Sequence, residues 1–465
     1  MGLSVSRSYM CCSVRDKQGM RDGFPLDRPP HFECLEVDVQ LEKPVMVAFA
    51  PLHQREASNQ RRLALASQRE VNIFRMPEGD MTPGEPPSMV LTHVLKLDPG
   101  YMVSSILFSD EDNSRHLVVA IGPASGRSTE GHAVRVWNCE SGLSLSTSDD
   151  PRPITGTTGA TGAAPNVCRP VQMQQNEGYI CSLTENKALV NRLAVNKTYL
   201  LTADAAGDCR LWQKNRAFTK RGAAMLHSGG VADLAVDRLF AYSAGLEDRR
   251  ICVWALPDLS PVIAIPVDIP EELLLGLASA RPKAEEAQAA LAEAMSSAAP
   301  SSQPCRLARV NLLRRPLSRW AGWQGSSRGP KAPRGSLFAA GVLSEGCEVA
   351  GAGAGVLMEW TLGEKPVCQS VQIAHDSPIV ALIYGPYDNG PLITADSRGI
   401  FRVWEFLLER GLCFTQQIEL VCSAGNDCSQ GCLAVAVEQP RGLYVAAGTK
   451  RLYVWQRHSD ASGHA

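Results

Sequence analysis

Residues 227–254 read HSGGVADLAVDRLFAYSAGLEDRRICVW, and the form of this stretch decides how the rest of the chain is read. Two short β-like runs, Leu239-Phe-Ala-Tyr-Ser243 and Ile251-Cys-Val-Trp254, flank a turn of small and polar residues. Apolar runs this short, bounded by turn formers, signal strands rather than helices. The same form recurs. Six of the eight Trp residues close such a run: Val134-Arg-Val-Trp137, Cys209-Arg-Leu-Trp212, Ile251-Cys-Val-Trp254, Leu357-Met-Glu-Trp360, Phe401-Arg-Val-Trp404 and Leu452-Tyr-Val-Trp455. Val71-Asn-Ile-Phe74 has Phe in the same place. Upstream of these lie further runs, among them Leu63-Ala-Leu-Ala-Ser67, Leu200-Leu-Thr-Ala-Asp204, Leu392-Ile-Thr-Ala-Asp396 and Leu443-Tyr-Val-Ala-Ala447. Where nothing intervenes, the markers are 42 (Trp212–Trp254), 44 (Trp360–Trp404) and 51 (Trp404–Trp455) residues apart. A strand, tight turn and strand at that period is the sequence form of a propeller blade. The expected fold is all-β, a seven-bladed β-propeller.

On these residues the chain resembles the WD-repeat β-propeller family over most of 32–458. No Trp is followed by Asp, so each single repeat is degenerate. The resemblance implies a buried hydrogen-bond tetrad running through His227, Ser243, Asp248 and Trp254. It also implies a partial copy in His375, Thr394 and Trp404, with Arg398 where the turn Asp would stand. Proteins of that family usually act as scaffolds or targeting subunits, so the resemblance implies protein partners.

Wider spacings locate insertions at about 139–180 and 268–335. Ser141–Asn166 is dominated by Gly, Pro, Ser and Thr, a composition that cannot bury a core. Within 271–298, Glu285-Glu286-Ala-Gln-Ala-Ala-Leu-Ala-Glu-Ala predicts a short surface helix. The 106 residues from Trp254 to Trp360 leave room for an eighth blade, since Arg306–Leu313 and Leu337–Val342 are both strand-like. No Trp-terminated strand lies between them, and the count stays at seven. The last blade would lack its outer strand. Glu33–Leu41, with Leu35, Val37, Val39 and Leu41 alternating with polar or small residues, is expected to supply it and close the ring. The domain reading is a flexible tail at 1–31, the propeller at 32–458 and a disordered tail at 459–465.

Composition narrows the function. Lys plus Arg is 46 and Asp plus Glu is 48, a net charge of −2 that argues against a nucleic-acid binder driven by overall charge. With 39 Gly and 30 Pro, these two residues make up about 15% of the chain against an average of about 12%, as a turn-rich fold requires. The 15 scattered cysteines and the absence of an apolar leader fit a cytoplasmic location. Cys428-Ser-Gln-Gly-Cys432 has no second pair beside it and is read as free thiols, so no metal is expected. Gly351-Ala-Gly-Ala-Gly355 leads into a strand instead of a helix, and is read as a turn, not a phosphate cradle. No P-loop, nucleophile elbow or H-E-x-x-H occurs. Asn196-Lys-Thr198 is read as a chance glycosylation match at a β turn. Neither enzyme activity nor a cofactor is expected.

Two segments suggest more than a scaffold. Between Arg306 and Arg334 there are seven Arg and one Lys with no acidic residue, interleaved with apolar side chains. Arg306, Arg309, Arg314, Arg315, Arg319, Trp320 and Trp323 are the candidate contacts to anionic lipid or RNA, the alternative being a blade strand followed by a solvated basic loop. At the start, Met1-Gly2-Leu-Ser-Val-Ser6 fits the N-myristoylation pattern, and Cys11 and Cys12 follow. One acyl chain holds only weakly, so palmitoylation of either Cys would supply the second signal. The expectation is a peripheral protein on the cytosolic face of a membrane.

Overall fold

The computed structural model describes residues 5–7, 32–38, 46–50, 61–76, 90–109, 116–124, 131–139, 171–172, 179–214, 218–269, 307–314, 333–343, 353–384, 392–398, 400–407, 411–419, 434–438, 443–447 and 451–457. The order begins with β1 (Val5–Arg7) and β2 (Phe32–Asp38). Blade one holds β3 (Met46–Phe49), β4 (Arg61–Ala66), β5 (Glu70–Met76) and β6 (Val90–Lys96). Blade two holds β7 (Tyr101–Phe108), β8 (His116–Pro123), β9 (Ala133–Asn138) and, after the two-residue β10 (Val171–Gln172), β11 (Tyr179–Leu183). Blade three is β12 (Val190–Val195), β13 (Tyr199–Asp204), β14 (Asp208–Gln213) and β15 (Thr219–Met225). Blade four is β16 (Val231–Val236), β17 (Phe240–Gly245), β18 (Arg250–Ala255) and β19 (Ser260–Pro266). Blade five is β20 (Leu307–Arg314), β21 (Gly335–Leu343), β22 (Gly355–Leu362) and β23 (Val367–His375). Blade six is β24 (Ile379–Tyr384), β25 (Leu392–Asp396), β26 (Ile400–Leu407) and β27 (Gly411–Glu419). Blade seven is β28 (Ala434–Glu438), β29 (Leu443–Ala447), β30 (Arg451–Arg457) and β2.

The seven first strands touch in a closed circle: β3 against β7, then β12, β16, β20, β24 and β28, which returns to β3. Closure depends on β2, which pairs antiparallel with β30, Phe32 opposite Arg457 and Asp38 opposite Arg451. The expected closing strand is therefore present, beginning one residue earlier and ending at Asp38 rather than Leu41. The spare room before Trp360 is filled by β20 and β21, the first two strands of blade five. The interval assigned to one insertion at 268–335 thus contains a blade strand, between connections at 270–306 and 315–332. The expected helix at 285–294 and the tail at 459–465 lie outside the described residues. The interval 139–180 contains β10, which runs parallel to β6, and the first two residues of β11. Inside the tail, β1 pairs antiparallel with β2, Val5 opposite Val37 and Arg7 opposite Leu35.

The apolar core is divided into slabs between neighbouring sheets. Trp137 packs in the slab joining blades one and two, Trp254 in that joining three and four, and Trp404 in that joining five and six. In blades two to six the strand-ending Trp is thus the contact through which the blade grips the one before it, and its large buried area explains why that position recurs. Opposite it across the ladder stands Leu63, Leu117, Leu200, Leu337 or Leu392, or Ala241 in blade four.

First strands also carry bulges, which free a side chain to reach sideways. Ser104 Oγ donates to Val190 O at 2.5 Å, and Asn191 Nδ2 to Val231 O at 2.9 Å. Asn311, the first paired residue after the bulge of β20, donates through Nδ2 to Ile379 O at 3.1 Å. Val190, Val231 and Ile379 hold the same place, each opposite the last residue of its partner strand. Between blades four and five the bulge residue is Ala232, which has nothing to donate. There the link is reversed: Asp233 Oδ2 accepts the Leu312 N–H at 2.8 Å, while Arg192 Nε from blade three lies 3.3 Å from its other oxygen.

Candidate functional site

Blade four contains a continuous relay. Trp254 Nε1 donates to Ser243 Oγ at 2.9 Å, Ser243 Oγ is 2.8 Å from His227 Nε2, and His227 Nδ1 is 2.8 Å from Asp248 Oδ2. With the proton placed on Nδ1, every donor in the line meets an acceptor, and the loop before β16 is bound to the turn between β17 and β18. A serine, histidine and aspartate in this order also describe a hydrolase triad. Here Ser243 is 0% exposed and its oxygen is occupied by Trp254. No substrate can reach it, and the array serves rigidity.

The carboxylate in this relay needs space that a neighbour gives up. A Cβ built on Gly245 would stand 1.8 Å from Asp248 Oδ1 and 2.5 Å from His227 Nδ1. Blade six solves the same problem from the other side. Trp404 Nε1 donates to Thr394 Oγ1 at 3.0 Å, and Thr394 Oγ1 is 2.7 Å from His375 Nε2. The carboxylate facing His375 belongs to Asp396, at the end of β25, with Oδ2 3.5 Å from Nδ1. That separation is an electrostatic contact longer than a good hydrogen bond. Arg398 therefore leaves no gap in this blade: the acid has moved from the turn to the strand, onto the position that Gly245 holds in blade four. Burial alone would raise the Asp396 carboxyl, but its contacts with His375 and Ser377, the latter at 2.6 Å, outweigh burial and hold it below its ordinary value. Burial lowers the His375 imidazole, with Asp396 opposing in part. The pair is a neutral histidine facing a carboxylate.

Blade three is a third version. Trp212 Nε1 donates to Thr202 Oγ1 at 3.2 Å, and Thr202 donates to Asn186 Oδ1 at 3.3 Å. Asn186 stands four residues before the first strand, as His227 and His375 do. Its oxygen also accepts from Arg210 at 3.2 Å, and Arg210 lies 3.6 Å from the buried Asp204. The polar residue two before the strand-ending Trp thus has a task. Arg210 reaches Asn186, Arg402 donates to Ala374 O at 2.5 Å, and Arg135 lies 3.7 Å from Asp98. Each arginine holds the loop that enters its own blade. In blade four, where His227 is already held by Ser243 and Asp248, the position is Cys252.

In blades one, two and five the hydroxyl position is apolar, occupied by Leu65, Val119 and Ala339. The consequence shows in blade five, where the buried Trp360 Nε1 has no hydrogen-bond partner.

The basic segment is divided by the fold. Leu307, Val310 and Leu312 are buried in β20. Arg314 is also buried, which removes it from the candidate contacts to an anionic surface. Its Nε lies 3.2 Å from Asp237 Oδ2 and 3.0 Å from Tyr242 OH, and its guanidinium stacks 5.5 Å from the Tyr242 ring centre. It also donates to Ser336 O at 2.6 Å and to Arg334 O. It therefore fastens blade four to both ends of the connection at 315–332. Arg309 lies in β20 and its side chain is not described. Arg306, Arg315, Arg319, Trp320 and Trp323 lie outside the described residues.

Gly2, Cys11 and Cys12 also lie outside them, as do Cys428 and Cys432. Gly353, with φ of 91°, lies in the connection from β21 to β22, and Gly355 opens β22, so the end of the glycine run leads into a strand as expected. Asn196 has its amide committed: Nδ2 donates to Asp237 O, and Oδ1 accepts the Thr198 and Tyr199 N–H groups, each at 2.8 Å. Among the described thiols, burial pushes Cys209 up to about 12, so it is not a nucleophile.

This geometry has counterparts among solved structures. A chain in the crystal structure of the mitotic checkpoint complex aligns with a TM-score of 0.52 at 15% identity, covering 94% of this chain and 98% of that one. The C-terminal WD40 domain of Sif2 aligns at 11% identity over 91% of this chain and 98% of that one, with a TM-score of 0.49. No family model and no curated protein matches the sequence. Likeness at this identity concerns the fold alone: the molecule is a seven-bladed β-propeller.

Proposed function

We propose that the protein is a non-enzymatic interaction scaffold, tethered to the cytosolic face of a membrane by acylation of Gly2 together with Cys11 or Cys12. The observation that carries the scaffold reading is the closed ring. Its turns are fixed from within by the relays of blades three, four and six, so its faces are pre-organised for docking. Protein partners follow from that reading, and the fold does not name them. The tether is supported by the Met1–Ser6 pattern and the two adjacent cysteines. Fractionation of cells expressing wild type, Gly2→Ala and Cys11→Ser/Cys12→Ser tests it. Wild type is expected on membranes, Gly2→Ala in the soluble fraction and the double variant split between them. A wholly soluble wild type, or a Gly2→Ala variant that stays on membranes, removes the tether. The scaffold reading expects a stoichiometric partner on native purification. Turnover of a metabolite by the purified protein would replace it with an enzymatic one.

The alternative, binding of anionic lipid or RNA through 306–334, keeps its charge pattern but loses Arg314 to the blade junction. It expects binding to anionic vesicles or RNA that disappears when Arg306, Arg315 and Arg319 are neutralised. Equal binding by both proteins ends it.

A further inference from the structure

We infer that one particular face of the propeller rests on the lipid surface: the face bearing Leu246 and Met225. This rests on the tether proposed above, and adds which side of the ring meets the bilayer.

In antiparallel four-stranded blades, the connections from outer strand to next blade and the turns between second and third strands emerge on one face. The other two sets of turns emerge on the opposite face. His227 and Leu246 mark the first face; Asn196–Thr198 and Asp237–Leu239 mark the second. β2 runs toward the first face, because its Asp38 end leads to β3. β1 is antiparallel to it with Val5 opposite Val37, so the chain preceding Val5 leaves toward that same face. Gly2 is three residues beyond Val5, a reach of at most about 10 Å. An acyl chain on Gly2 is thereby delivered to the first face.

On that face, blades three and four present apolar side chains to solvent. Leu246 is 43% exposed and Met225 64% exposed, although both lie in the best-braced part of the ring. Leu246 N donates to Gly230 O at 3.1 Å, and the same turn carries Asp248 of the relay and Arg249 with φ of 52°. A positive φ at a non-glycine residue costs energy, and the relay holds it. The turn thus presents a leucine to solvent on a rigid support. Exposed charges of both signs also lie on this face, among them Arg69, Lys187, Glu185 and Glu247. The contact is therefore apolar insertion at blades three and four, across the ring from an acyl chain at blade seven, with little net electrostatic pull. β20 ends and β21 begins on the opposite face.

The test uses the full chain, myristoylated by co-expression with an N-myristoyltransferase, and sedimentation with phosphatidylcholine/phosphatidylserine vesicles. Leu246→Glu/Met225→Glu is compared with Lys197→Glu/Arg238→Glu, whose side chains are exposed on the second face. Thermal melting confirms that each variant is folded. The first pair is expected to weaken vesicle binding by about threefold or more, and the second to leave it unchanged. If the second pair weakens binding and the first does not, the face is reversed. If neither changes it, no face of the ring touches lipid. In both cases the inference is overturned while the tether survives. A myristoylated wild type that does not bind vesicles overturns the tether, and this surface with it.

Discussion

Gly245 and Asp248 occupy one space between them: a Cβ on the glycine would lie 1.8 Å from the aspartate Oδ1. Gly245 has no left-handed backbone to explain its identity, so the requirement is for volume. Gly245→Ala is expected to expel the Asp248 carboxylate from His227 and to cost about 2–4 kcal/mol, measured by urea unfolding. The double variant Gly245→Asp/Asp248→Gly copies blade six and should recover part of that loss. A double variant less stable than Gly245→Ala would show that the two positions are not interchangeable sources of the carboxylate.

Removing the central hydroxyl should be as damaging. Ser243→Ala leaves Trp254 Nε1 and His227 Nε2 buried without partners, and Thr394→Ala does the same to Trp404 and His375. Each is expected to cost about 2–4 kcal/mol, the desolvation penalty of two orphaned polar groups. A loss below about 0.5 kcal/mol in both would mean that these relays do not brace their blades.

The reverse change should stabilise blade five. Ala339 stands where Ser243 and Thr394 stand, beside a Trp360 Nε1 that lacks a partner. Ala339→Ser adds one oxygen and no methyl group to a fully buried site. The expected gain is about 0.5–1.5 kcal/mol in urea unfolding. A decrease would indicate that the serine hydroxyl does not reach the indole.

Acid should weaken blade six in two stages. His375 and Asp396 both have folded-state pKa values below their ordinary ones, so the unfolded chain binds protons first as pH falls. The contribution of His375 is complete above its ordinary value of 6.5 and declines as pH falls below it. That of Asp396 is complete above 3.8 and declines below that pH. His375→Gln should therefore melt with a smaller pH slope than wild type just below 6.5. Identical slopes would assign the acid sensitivity elsewhere.

The blade repeat and the closing strand were legible because each Trp ends a run and because Leu35 and Val37 alternate with polar partners. The relays were only half legible. Asp204 and Asp396 both appear in the sequence after Leu-x-Thr-Ala, whereas the repeat pattern places the carboxylate in the turn, at Arg398. The Thr-Ala-Asp ending was the available signal. Asn186 could be found only by counting four residues back from the first strand, since Asn there carries no signature of its own. Arg314 was misplaced because a run of arginines resembles a solvated surface. What buries one of them is a tyrosine and an aspartate 72 and 77 residues away, pairings that local pattern does not contain.

The pairing of β2 with β30 has a consequence for how the molecule is made. The strand that completes the last blade is synthesised before any blade, and its partner emerges only after the other six blades. While the chain grows, the edge of β2 has no permanent neighbour, and it invites pairing with other chains as any open strand edge does. The contact spanning the largest sequence separation must also form late, against a large loop-closure entropy. A nascent chain halted after blade six would hold six sheets with no way to form a ring. Full assembly thus doubles as a check that every blade up to β30 has been made.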